Sequence, residues 1–220
     1  MAEKYGEIPK KFTKEWWEYF WDYYKLHTIA TAVILFLIIV SVVQAVTSIK
    51  YDFNLVYATN YILEDEKNNI IKTKIEENIS DLDENGEINA RVETLLYSDN
   101  EEDIQFSSAM YTKLQLSFVT EETMLFIIDK ERMDFLLTAG DFVDVFSPVD
   151  EWYEEDLTDK KVYKINGVIY GISLEDSEFF KSNQINSDNL YIAVRRNLYE
   201  DEKVKENEEN AIIVAKELLK

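Results

Sequence analysis

The chain has 220 residues, with 44 acidic against 23 basic side chains, a net charge of −21 and no cysteine. Such an acidic surface excludes the cationic footprint a nucleic-acid binder needs. The missing thiols exclude disulfides, Cys-ligated zinc, iron–sulfur clusters and a lipidated cysteine anchor. The single histidine, His27, leaves no ordinary Ser-His-Asp or Cys-His arrangement to assemble.

The first element predicted along the chain is an aromatic segment. Phe12 to Tyr24 holds Phe12, Trp16, Trp17, Tyr19, Phe20, Trp21, Tyr23 and Tyr24. Charged residues are mixed in among them rather than confined to one clean face. Trp and Tyr favour the lipid headgroup zone, which makes this an interfacial helix fixing the depth of whatever follows. The excess of aromatics also allows a docking surface for a membrane partner.

From Leu26 to Ile49 no Asp, Glu, Lys or Arg occurs, and Ile29 to Val46 reads IATAVILFLIIVSVVQAV. A helix of about 20 apolar residues crosses a hydrocarbon core of roughly 30 Å. The expected division is 1–27 as a cytoplasmic aromatic-rich segment, 28–49 as a single transmembrane helix and 51–220 as an acidic extracytoplasmic α/β domain. A fully buried core helix and a cleaved signal peptide, with Val43-Gln44-Ala45 as its cleavage site, are the competing readings. Five lysines precede the span (Lys4, Lys10, Lys11, Lys14, Lys25), and only Lys50 and Lys67 follow it closely. That asymmetry places the N-terminus in the cytoplasm and the rest outside, at the cell membrane.

Residues 51–220 carry 39 acids and 17 bases, a net charge of −22. This favours solubility and opposes close approach to anionic lipid. Helix- and strand-like patterns alternate through the segment. Phe53–Ala58 reads as a strand. Tyr61–Ile79 reads as a helix with Ile62, Ile70, Ile71, Ile75 and Ile79 inward. Ile88–Tyr97 is a second strand. Ile104–Val119 is a helix with Phe106, Met110, Leu114 and Phe118 inward. Met124–Ile128 is a continuous apolar run, as in a strand buried on both faces. Glu131–Ala139 is a short helix ended by Gly140. Three β–α units in succession imply a parallel core sheet flanked by helices. Asn166-Gly167 within 161–173 marks a tight hairpin. Leu190–Val194 is a further strand. Asn210–Leu219 is a terminal amphipathic helix after a charged stretch, 200–209, read as solvated helix face or loop.

The strand 53–58, the following helix, Asp81-Leu-Asp83-Glu-Asn85-Gly86 before a strand, Met124–Asp129, Phe135–Phe146 and the 162–172 hairpin with Tyr170-Gly171 form an ordered set. That set resembles extracellular solute-binding proteins of the type found with bacterial ABC importers. It resembles most their small membrane-anchored Gram-positive relatives, which also open on an aromatic stretch before one span. The resemblance implies a periplasmic-binding-protein-like lobe. A full binding protein is nearly twice this length, so there is room for about one lobe, and no ligand residue carries over.

Asp81, Asp83, Asn85, Glu87 and Asn89 match the oxygen-bearing positions of an EF-hand-like calcium loop, with Gly86 at the sharp turn. Val92 stands where the bidentate acid belongs, and Glu93 comes one residue late. The alternative is an ordinary helix-to-strand turn in which Asp81 and Asp83 cap backbone donors. Trp152-Tyr153, within an acidic run, reads as a packed surface pair or as a platform for a sugar or a cation. The adjacent acids Glu101-Glu102 and Glu121-Glu122 assign no catalytic pair, and Asn78-Ile79-Ser80 is a sequon without evident meaning in a bacterium. No catalytic residue and no cofactor is expected beyond calcium. The expected partners are the bilayer and a membrane protein complex, not nucleic acid. The expected function is that of a non-enzymatic accessory or scaffolding subunit. A solute-binding or sensing module is the rival, and a hydrolase using calcium with Asp81 or Asp83 is a distant third.

Overall fold

The computed structural model describes residues 9–47, 49–82, 84–98, 103–120, 123–139, 145–197 and 202–220. Met1–Lys50 and Tyr51–Lys220 are two separate compact units.

Among the described residues of the first unit stands one long helix, α1 (Lys14–Thr47, 34 residues). It starts where the Thr13 hydroxyl accepts the Trp16 amide at 3.3 Å, satisfying one of the free donors of the first turn. The helix is long and apolar enough to cross a membrane, and none of its apolar window is buried, which removes the buried-core reading. At about 100° per residue, the aromatic side chains from Trp16 to Tyr24 cover an arc of roughly 200°. Lys14, Glu15, Glu18, Asp22 and Lys25 share the remaining sector. The charges thus lie on a face of their own, contrary to the interspersed reading: sequence proximity hides what helical phase separates. Trp16 stacks on Phe20 at 5.4 Å and Phe20 on Tyr24 at 5.6 Å, a ladder at the four-residue spacing of neighbouring turns.

The second unit is a six-stranded mixed sheet in the order β2-β1-β3-β6-β5-β4. The strands are β1 (Phe53–Thr59), β2 (Ala90–Leu96), β3 (Thr123–Asp129), β4 (Val162–Ile165), β5 (Val168–Ser173) and β6 (Leu190–Val194). β2, β1 and β3 run parallel. β6 is antiparallel to β3, and the β4–β5 hairpin completes an antiparallel half. The parallel reading therefore holds for half the sheet; β6 enters beside β3 through a long-range pairing that no local pattern encodes.

Two crossovers build the parallel half. α2 (Asp65–Glu76) joins β1 to β2, and α3 (Ile104–Val119) joins β2 to β3 across β1. They lie on opposite faces. Ile71 and Ile75 of α2 pack with Leu55, Tyr57, Leu125 and Ile127 in one core. Leu114 and Phe118 of α3 pack with Val56, Ala58, Phe126 and Ile128 in the other. Alternate residues of β1 and β3 thus feed two cores, as the unbroken apolar run of β3 leads one to expect. α6 (Glu202–Leu218) covers the first face, with Val204, Ala211, Val214 and Leu218 buried.

Several boundaries differ from the sequence reading. The helix after β1 begins at Asp65, not Tyr61: the Thr59 hydroxyl donates to the Tyr61 carbonyl at 2.7 Å and turns the chain first. Ile62 is consequently 75 % exposed rather than in the core, and Phe106 is also exposed. Glu131–Ala139 is not one helix; α4 (Lys130–Asp134) passes into a π-helical turn at Phe135–Ala139. α6 takes in most of the charged stretch, because Val204 and Asn207 already face inward amid its acids. A short helix, α5 (Glu178–Ser182), adds an element that the sequence patterns do not mark; Ser177 caps it by accepting the Phe180 amide at 3.2 Å. Gly140, Asp83 and the pairs Glu101-Glu102 and Glu121-Glu122 lie outside the described residues.

Candidate functional site

In an open α/β sheet, ligands gather beyond the carboxyl ends of the parallel strands, where successive crossovers run in opposite directions. Here that point lies between β1 and β3. A cleft of ≈ 410 Å³ opens there, lined by residues that include Asn60, Tyr61, Asp129, Arg132, Asn186 and Asp188. A second hollow of ≈ 640 Å³ adjoins it along the ends of β1 and β2, sharing Asn60 and Tyr61 and reaching Tyr97 and Phe106.

The end of β1 supplies two phenols. The Tyr57 and Tyr61 hydroxyls are 3.0 Å apart, and Tyr61 donates to the Asn186 carbonyl at 2.7 Å. Burial raises both; Tyr61 is pushed up to about 12 and Tyr57 higher still. Both are neutral hydrogen-bonding groups at neutral pH, and they tie the loop before β6 to β1.

The end of β3 supplies a charged knot. Asp129 caps α4 by accepting the Arg132 amide at 2.9 Å. The Arg132 Nη1 donates to Asp129 at 3.2 Å and to Glu131 at 3.0 Å. Its guanidinium carbon lies 4.9 Å from the centre of the Tyr97 ring, a cation–π contact. Arg132 is only 2 % exposed. Burial holds the Asp129 carboxyl above the usual carboxylate range, against the pull of Arg132. Lys130 pairs with Asp134 at 3.1 Å, and the Tyr163 hydroxyl donates to Asp134 at 2.7 Å. The floor of the cleft is therefore a set of internal pairs, with Asn60, Asp188 and Asn189 among its remaining polar lining. The arrangement can hold a small polar solute. The fragment Asp-x-x-Arg directly after an apolar strand carries the only sequence signal for it, and that signal is indistinguishable from a surface ion pair.

The 81–89 loop sits at the opposite, amino-terminal end of the strands. Asp81 accepts the Asn85 amide at 3.3 Å and the Gly86 amide at 2.7 Å, while Asn85 accepts the Glu87 amide at 2.7 Å. Gly86 takes a φ of 87°, the left-handed conformation such a turn requires. Among the described residues, no group of three or more His, Asp or Glu side chains gathers as a metal site. The loop is anchored by a residue the sequence did not single out. Buried Asp52 accepts the Leu82 amide at 3.0 Å and the Asn89 amide at 2.8 Å. Asp52→Ala should cost about 1–3 kcal/mol by leaving two amides unpaired. Urea unfolding of the chain in detergent micelles measures this, and a loss below about 0.5 kcal/mol would contradict it.

Trp152 and Tyr153 are neither a surface pair nor a stacking platform. They are 4 % and 6 % exposed and belong to the core beside Val149. Their acidic sequence neighbours point outward and hide an inward turn.

No family model, no curated protein and no solved structure matches the chain.

Proposed function

We propose that this is a single-pass membrane protein of the bacterial cell surface. Its N-terminus is cytoplasmic and its acidic α/β domain extracytoplasmic, and it serves as a non-enzymatic accessory or scaffolding subunit of a membrane complex. The observation that carries the reading is α1. One unbroken helix joins an uncharged span to an aromatic arc whose charges are confined to the other side. An arc of that kind is suited to contacts with protein as well as lipid. The lysine excess before the span supports the orientation. Affinity capture of the full-length protein from native membranes in mild detergent, followed by mass spectrometry, tests it. A stoichiometric membrane assembly is the expected result, and recovery of this chain alone would overturn the role.

The cleft beyond β1 and β3 favours a second reading, a sensing or solute-binding module akin to one lobe of an importer's binding protein. The parallel β2-β1-β3 order, flanked by helices on both faces, supports that likeness. A thermal-shift screen of the chain with small polar solutes distinguishes the two. Stabilisation lost on Tyr61→Phe would favour the solute reading. Calcium at the 81–89 loop belongs to the same screen: a shift abolished by Asp81→Asn would support it.

A further inference from the structure

The walls of the cleft beyond β1 and β3 satisfy most of their own charge but not all of it. The cleft volume, ≈ 410 Å³, falls within the roughly 300–1,000 Å³ of small-molecule pockets. Four carboxylates line it, Asp129, Glu131, Asp134 and Asp188, against two cations, Lys130 and Arg132. Both cations are engaged by the first three acids. Lys130 meets Asp134 at 3.1 Å, and Arg132 meets Asp129 at 3.2 Å and Glu131 at 3.0 Å. The Asp188 carboxylate makes no ion pair or hydrogen bond with any described residue, and neither does the Asn60 carboxamide.

The backbone that carries Asp188 is pinned on several sides. Tyr61 ties the loop before β6 to β1 by donating to the Asn186 carbonyl at 2.7 Å. The Lys130 amide ties it to the end of β3 by donating to the Asn189 carbonyl at 3.0 Å. The Asn189 amide donates to Glu175 at 2.9 Å. Between these anchors, the Asp188 amide donates to the Asn186 side chain at 3.1 Å. A carboxylate on a fixed backbone loses little freedom when a ligand arrives. Asp188 and Asp129 come from different segments, yet both act on one phenol. Beyond burial, the larger cause, their charges push the Tyr61 hydroxyl up. Negative potential thus converges on the Tyr61 side of the cleft.

An anion entering here meets that potential within a domain of net charge −22. A neutral solute covers the Asp188 carboxylate without supplying a counter-charge, which is costly. An ammonium group supplies the charge, and its three N–H donors need only acceptors, which Asp188 and the Asn60 oxygen offer. We propose that the cleft binds a small organic cation through an ammonium group held by the Asp188 carboxylate. The proposal rests on the solute-binding reading of the cleft and names its ligand class; it is independent of the accessory role.

Three probes built on one four-carbon chain separate the charge classes: butane-1,4-diamine, butane-1,4-diol and succinate. Each is titrated into the full chain in non-ionic detergent at about 0.15 M salt, where diffuse attraction is screened. The rise in Tm reports binding. The diamine should stabilise the protein, and the other two should not. Asp188→Asn should melt as the parent does without ligand and should bind the diamine about tenfold more weakly or worse. Glu77→Gln removes the same charge from an exposed site at the far end of α2 and should leave binding unchanged. An equal loss in both variants would reveal diffuse attraction to an acidic surface and overturn the site. Stabilisation by the diol or by succinate instead would overturn the cationic class and keep the solute reading. No response to any of the three would remove both.

Discussion

Arg132→Met should destabilise the domain by about 3–5 kcal/mol, because it strands a buried carboxylate. Arg132 lies beneath the cleft, bonded to Asp129 and Glu131 and stacked on Tyr97. Set against a total stability of about 5–15 kcal/mol, that loss approaches unfolding. The pH dependence has a definite sign. Burial raises the Asp129 carboxyl in the folded state, and Arg132 works against that rise. A raised carboxyl penalises folding as it ionises. The penalty is absent below the unfolded value, builds as pH rises and is complete above the folded one. Removing Arg132 enlarges it, so the deficit of the variant should narrow on acidification. Arg132→Met with Asp129→Asn should recover most of the loss. Denaturant titrations of the single and double variants across pH measure these effects. A deficit that does not change with pH would contradict the assignment.

Phe126→Ala should cost a similar amount, about 3–5 kcal/mol, for a different reason. The ring is fully buried at the centre of β3. It stacks on Phe118 of α3 at 4.6 Å and meets the edge of Phe146 at 5.6 Å. Removing it opens a cavity that a sheet and a helix cannot both close. Chemical denaturation should show an earlier midpoint with an unchanged slope. A loss under about 1 kcal/mol would mean that this face of the sheet is not packed as described.

β3 was legible in the sequence because its physics is local. Five consecutive apolar residues, Met124–Ile128, admit burial on both faces, and the structure provides two cores for them. The Asn166-Gly167 hairpin was legible for the same kind of reason, and its φ angles of 50° and 90° are those a tight turn demands. The bounds of α3 and β6 also match the pattern reading, Ile104–Val119 and Leu190–Val194. The position of β6 between β3 and β5 was not legible, since it depends on pairing between residues more than sixty apart in the chain. The cleft shares that origin. Tyr61 and Asn186, or Arg132 and Tyr97, meet only through the folded topology. Asp52 and Asp129 are two acids among many in the sequence, and burial alone sets them apart. Trp152 failed in the other direction: its acidic neighbours imitate a surface.

In the proposed topology, one helix places the acidic domain outside the cell membrane. The most direct measurement uses the cysteine-free background. Exposed Lys11 and Glu178 are each replaced by cysteine, and intact cells are treated with a membrane-impermeant maleimide. Glu178→Cys should label in intact cells, and Lys11→Cys only after permeabilisation. Labelling of Lys11→Cys in intact cells, with Glu178→Cys protected, would contradict it.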